Sequence, residues 1–117
     1  MVILRDLEKF TIYVDVDDTL IRSSGTKRIP MPAMVDQVRS LYQRGASLIC
    51  WSAGGGEYAR RSAMETGLDH CFSHFLSKPN LMIDDQIPAR WPMCEVIHPA
   101  SCTDDAVTDA LIGYTHQ

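Results

Sequence analysis

Apolar runs of two different periods alternate along the chain. Short, nearly continuous apolar stretches at residues 10–14, 47–51, 72–75, 81–83 and 95–97 are the pattern of strands buried in a sheet. Between them lie segments with helical spacing. One begins at Pro32, places Met34, Val35, Val38, Leu41 and Tyr42 on a single face, and stops before Gly45, a good residue to follow a helix end. A second runs from 56 or 57 to 66, carries Tyr58, Ala59, Ser62, Ala63 and Met64, and ends at Gly67. The last is the best capped: Ser101 with Asp104, or Thr103 with Asp105, can satisfy free amides ahead of a stripe of Ala106, Val107, Ala110 and Leu111 that stops at Gly113. Strand and helix alternating in this order predict an α/β fold of three layers, a parallel sheet of about five strands covered on both faces. Residues 22–30 are the least patterned and are expected to form a loop or short flap over the carboxyl end of the first strand. Ligands bind at that edge of open parallel sheets.

Composition narrows the class. At 117 residues the chain is read as a single domain, 1–117, and its 45% hydrophobic and 22% charged content is that of a globular protein able to bury a core. No apolar run approaches the roughly eighteen residues of a membrane span, and Arg5, Asp6, Glu8 and Lys9 break any signal-peptide core, so the expectation is a cytoplasmic protein without membrane contact. A formal charge of −4 disfavours non-specific binding to nucleic acid or anionic membrane. The cysteines Cys50, Cys71, Cys94 and Cys102 contain no C-x-x-C pair, which speaks against zinc. His70 and His74 have chelate spacing for a helix, yet Cys71, Phe72 and Phe75 around them argue for a strand and for solvated or core imidazoles.

The candidate chemistry begins where the first strand ends. The run from Ile12 stops at a cluster of carboxylates, Asp15, Asp17 and Asp18, followed by Thr19. Carboxylates crowded together repel one another and are best tolerated around a hard cation such as Mg²⁺, which points to phosphate chemistry. Three further polar anchors end later strand-like runs: Ser52 after Leu48, Ile49, Cys50 and Trp51, then Lys78, then Asp84 and Asp85 after Leu81, Met82 and Ile83. Taken singly, each reads as a turn residue or a surface charge. In order, D-x-D-x-T, a strand-terminal hydroxyl, a lysine and an acidic pair, the set resembles the haloacid dehalogenase (HAD) superfamily of phosphotransferases over nearly the whole chain.

That resemblance implies a Rossmann-like, HAD-type core and a phosphomonoester hydrolase working through an aspartyl-phosphate. Asp15 becomes the nucleophile, since a carboxylate is ionised at neutral pH and needs no base. Asp17 becomes the general acid and then the base for water. Ser52 and Lys78 stabilise charge on the phosphoryl group, with Ala53 and Gly54 beside them as substrate contacts. Mg²⁺ is assigned to Asp15, the Asp17 carbonyl, and Asp84 and Asp85, with Asp84 favoured as the direct ligand and the two roles exchangeable. Asp18 stands where many relatives have glycine, and Ser52 where many have threonine.

The intervals between these anchors are too short for the cap domain of many relatives, so a capless member with an open site is expected. Its partner is a phosphorylated small molecule, and a homo-oligomer is allowed. Two other functions are weighed. Lys27, Arg28, Arg60 and Arg61 offer a second anionic contact, which suits a nucleotide or nucleic-acid phosphate end. A non-catalytic phosphate- or Mg²⁺-binding regulatory module uses the same residue types, but in a different order along the chain.

Overall fold

In the computed structural model, which describes residues 5–112, the chain runs through β1 (Thr11–Asp15), β2 (Ile21–Ser24), β3 (Lys27–Pro30), α1 (Pro32–Gln43), β4 (Ser47–Ser52), α2 (Gly56–Glu65), β5 (His74–Ser77) and α3 (Asp104–Ile112). Short 3-10 turns lie at Asp69–Cys71, Pro88–Arg90 and Pro99–Ser101. The chain divides into two units, Met1–Lys78 and Pro79–Gln117. The first holds the strands with α1 and α2, and the second holds α3. No described helix is long and apolar enough to cross a membrane.

The first unit is an α/β structure built on a parallel sheet in the order β1-β4-β5. Its central strand, β4, buries Leu48, Ile49 and Cys50, as expected of a parallel strand with neighbours on both edges. The register pairs Asp15 with Trp51 and Ser52 with Ser77, so the carboxyl ends of all three strands align at one edge. That alignment brings together residues far apart in sequence.

Helix α1 starts at Pro32, whose fixed φ and missing N–H cost nothing in the first turn. It packs on β4 and buries Met34, Val35, Val38 and Leu41. Gly45 follows at φ 94, the left-handed conformation that closes a helix with least strain in glycine. Complete burial of Val38 and Leu41, 0% and 2% exposed, stabilises by about 1.5–3 kcal/mol each. Helix α2 lies on β4 and β5 and buries only small side chains, Ala59, Ser62 and Ala63. This permits a close approach: a Cβ on Gly56 would stand 2.8 Å from the Phe75 carbonyl oxygen.

Residues 22–30, expected as a loop or flap, belong to an antiparallel hairpin, β2 with β3. Gly25 and Thr26 make its turn between paired Ser24 and Lys27, with Gly25 at φ 63. A glycine first in a two-residue loop matches the twist of the flanking strands. The third sheet strand also lies two residues later than expected. Phe72 is buried before it, and its ring meets Phe75 edge-on at 6.0 Å.

In the second unit, the stretches 81–83 and 95–97 are not strands. Leu81, Ile83 and Val96 are 78%, 95% and 92% exposed, and three apolar residues without a ladder partner have too little to hold them extended. The backbone there is ordered by turns. Asp84 Oδ1 accepts the Gln86 amide at 2.9 Å, and Trp91 Nε1 donates to the Gln86 carbonyl at 3.3 Å. Of the two candidate caps for α3, Thr103 acts: its Oγ1 accepts the Ala106 amide at 3.0 Å. Ser101 instead ends a 3-10 turn, and Gly113 lies outside the described residues.

Candidate phosphate site at the sheet edge

Strand β1 ends at Asp15 and the chain turns at once. The Val16 carbonyl accepts the amides of Thr19, Leu20 and Ile21 at 3.2, 2.9 and 3.1 Å, while the Asp18 amide donates to the Ile21 carbonyl at 2.7 Å. Buried Val16, Leu20 and Ile21 anchor this tight turn from below. Asp18 sits at φ 60, a left-handed conformation that Asp tolerates better than most residues with a Cβ.

The turn presents Asp15 at the edge of the sheet, engaged on both carboxylate oxygens. Thr19 Oγ1 donates to Oδ2 over a long 3.4 Å, and Lys78 Nζ stands 3.1 Å from Oδ1. Lys78 arrives there because its amide donates to the Ser52 carbonyl at 2.9 Å, extending the β4–β5 ladder by one step. Its ammonium lies 5.7 Å from the Trp51 ring centroid. The side chains of Lys78 and Asp15 remain 37% and 33% exposed, so a ligand from solvent can reach the pair. Solvent screening limits its value for folding to about 0–1 kcal/mol.

Ser52 closes the edge between Asp15 and Lys78. It is 1% exposed, and its Oγ accepts the Gly54 amide at 3.0 Å, so the hydroxyl proton is what it has to donate. The Gly55 amide donates to the Ser52 carbonyl at 3.1 Å and the Gly56 amide to Ser77 Oγ at 3.1 Å. The amides of all three glycines are therefore already engaged, by Ser52 on β4 and Ser77 on β5. Ala53 and Gly54 are exposed beside it. Beneath the edge, burial pushes the Cys50 thiol up to about 12, with the Asp15 charge adding to the shift, so this sulfur is a neutral core group.

Asp17 has a partner that the sequence does not announce. Its Oδ1 accepts a hydrogen bond from Tyr58 Oη on α2 at 2.6 Å, and Tyr58 Oη in turn accepts from Arg28 Nη1 on β3 at 2.7 Å. By periodicity Tyr58 is only a face residue of α2 and Arg28 only a basic residue of the flap. The same guanidinium reaches Ser62 Oγ and Glu65 Oε2, both at 3.0 Å, which pins the hairpin to α2. Arg60 is paired with Glu57. Two of the four basic residues considered for a second anion are thus already engaged.

Asp84 and Asp85 belong to the second unit, where they line a shallow depression with Gln86, Trp91, Pro92 and Met93. Among the described residues no three His, Cys, Asp or Glu side chains gather into a metal cluster. Mg²⁺ needs less than that: it is commonly held through one or two carboxylates, with phosphate and water supplying the rest. The Asp15 carboxylate and the Asp17 backbone carbonyl offer hard oxygens that fit such an ion in kind. His70 sits in the 3-10 turn with its ring edge-on to Tyr42 at 5.7 Å, and His74 opens β5. A cavity of about 260 Å³ between Arg5, Tyr42 and Ala46 lies by the start of β4, at the opposite end from Asp15, and carries no chemistry of this kind.

No protein-family model matches the chain, and no curated protein or solved structure matches it. What the site can do rests on its own geometry: a carboxylate held by a lysine and a threonine, a buried hydroxyl on the next strand, and a second carboxylate fixed from the side by a tyrosine.

Proposed function

We propose that the chain is a Mg²⁺-dependent phosphomonoester hydrolase of the HAD type, with a Rossmann-like core and an open, capless site. The observation that carries this reading is Lys78 Nζ at 3.1 Å from Asp15 Oδ1, at the same sheet edge as Ser52. An ammonium there balances the charge of the nucleophile and of an incoming phosphoryl group, and the Ser52 hydroxyl donates to a phosphoryl oxygen.

In the first step an Asp15 carboxylate oxygen attacks phosphorus, the bond from phosphorus to the ester oxygen breaks, and Asp17 gives its proton to the departing alkoxide. In the second, water attacks the same phosphorus, Asp17 takes the water's proton, and the bond to Asp15 breaks to release orthophosphate. Mg²⁺ would be held by the Asp15 carboxylate and the Asp17 backbone carbonyl, and would neutralise charge on the phosphoryl oxygens. The pairing of Arg28 and Arg60 within the protein favours a small phosphorylated molecule over a nucleic-acid end.

The test is phosphate release from a generic aryl phosphate by wild type and Asp15→Asn, each with Mg²⁺ and with excess chelator. Turnover by wild type with Mg²⁺ alone is expected. Full metal-dependent turnover by Asp15→Asn would rule out the covalent route.

A further inference from the structure

Asp17 is exposed, and an exposed carboxylate at a tight turn would ordinarily sample many rotamers. Here it is held by a side chain that is itself held on three sides. Tyr58 Oη donates to Asp17 Oδ1 at 2.6 Å. Arg28 donates to the same Oη at 2.7 Å and lays its guanidinium 5.1 Å from the ring centroid. From below, the ring rests on Gly54, where an added Cβ would come within 3.0 Å of Tyr58 Cδ2. Arg28 is braced by the buried Ser62 hydroxyl and by Glu65. Elements as distant as β3, α2 and the β4–α2 loop thus converge on one carboxylate oxygen.

The chemical consequence follows from what a carboxyl group can do in each protonation state. A neutral carboxylic acid has one O–H donor and one carbonyl acceptor. A phenol that donates to Oδ1 commits that oxygen to accepting, so the acidic proton must sit on Oδ2. We infer that Tyr58 is a positioning residue for the reaction, fixing which oxygen of Asp17 carries the proton given to the leaving group, with Arg28 on the hairpin holding Tyr58 in place. The inference rests on the phosphatase reading and deepens it: the hairpin acts through Tyr58 on leaving-group departure, whether or not it touches substrate.

The signature is leaving-group dependence. An alkyl phosphate expels a basic alkoxide and needs the proton, whereas an aryl phosphate with an electron-withdrawing ring expels a stable anion and needs it little. The quantity to compare is kcat/KM, which reports the steps up to formation of the phospho-enzyme, for wild type, Tyr58→Phe and Arg28→Met on one alkyl and one nitroaryl phosphate. Tyr58→Phe keeps the ring on Gly54 and removes only the hydroxyl. Its loss on the alkyl ester is expected to exceed its loss on the aryl ester by up to about tenfold, the upper end of what one hydrogen bond contributes. Arg28→Met should move the ratio the same way by less.

Losses equal on both esters, or no loss in Tyr58→Phe, would overturn the inference. Asp15→Asn assayed in parallel separates the two claims. If it is inactive while Tyr58→Phe keeps the wild-type ratio, the positioning role falls alone. If it retains full activity the covalent route falls, and if wild type hydrolyses neither ester the phosphatase reading falls; in either case the positioning role argued on that reaction falls with it. Thermal unfolding of each variant identifies any loss that comes from misfolding, and the unaffected variant of the two then carries the test.

Discussion

Arg28→Ala should cost the first unit far more than an ordinary surface charge. The substitution removes hydrogen bonds to Tyr58 Oη at 2.7 Å, Ser62 Oγ at 3.0 Å and Glu65 Oε2 at 3.0 Å. Their contributions differ by environment. Glu65 is 47% exposed, so its ion pair is screened and contributes about 0–1 kcal/mol. Ser62 is 1% exposed, water cannot readily replace the lost donor, and a buried polar group left in that state costs about 1–3 kcal/mol. The guanidinium over the Tyr58 ring adds about 0.5–1 kcal/mol. These terms share atoms and do not sum, so the expected loss is about 2–4 kcal/mol. Urea unfolding followed by circular dichroism measures it, with Ser62→Ala and the double variant completing a cycle. Coupling of about 1 kcal/mol between the two sites is expected, because Ser62→Ala removes the group that Arg28→Ala would otherwise strand. A loss within about 0.5 kcal/mol of zero, or strict additivity, would show that the hairpin does not depend on this anchor.

Three other predictions follow from local geometry. Gly56→Ala places a methyl 2.8 Å from the Phe75 carbonyl oxygen, so it should lower stability by about 1–3 kcal/mol in the same urea assay, although alanine favours helices. Cys50, with its thiol pushed up to about 12 by burial and the Asp15 charge, should resist iodoacetamide at neutral pH until urea unfolds the chain, as peptide mass mapping can check. Asp6 is held below the usual carboxylate range, chiefly by its hydrogen bonds from Arg44 at 2.9 and 2.8 Å. A group depressed in the folded state stabilises above its unfolded pKa and loses that contribution as pH falls through its folded pKa. The stability difference between wild type and Asp6→Asn should therefore be present at neutral pH and vanish in acid.

The parts of the fold legible in the sequence are those where burial imposes a pattern. Strand β4 is an uninterrupted apolar run because it is central to a parallel sheet, and α1 shows helical spacing because one face carries the core. The end of β1 at Asp15 was visible because the carboxylates Asp15, Asp17 and Asp18 interrupt the apolar run there. The hairpin was not, since Arg22, Ser23, Ser24 and Lys27 are all exposed and produce no alternation; only the Gly25-Thr26 pair marked its turn. The runs at 81–83 and 95–97 show the opposite error, apolar residues without a neighbour to bury them.

The candidate site divides similarly. Asp15, Ser52 and Lys78 end strand-like runs, and parallel pairing alone brings such ends to one edge, so their proximity was implied once the strands were placed. The link from Asp17 to Tyr58 spans 41 residues and depends on how closely α2 sits over Gly54, which no periodicity encodes. Nor does spacing distinguish a basic residue facing solvent from one, like Arg28, turned onto a buried hydroxyl.

The central claim is a phosphoryl group carried on Asp15, and it can be weighed directly. Asp17→Asn retains the nucleophile but lacks the base that activates water in the second step, so the intermediate should accumulate. Intact-mass spectrometry of this variant, acid-quenched after mixing with Mg²⁺ and an activated aryl phosphate, should show the mass of one added phosphoryl group. Peptide mapping should place it on Asp15, and the Asp15→Asn, Asp17→Asn double variant should lack it. An unchanged mass in Asp17→Asn, with wild type turning over the same ester, would contradict the account.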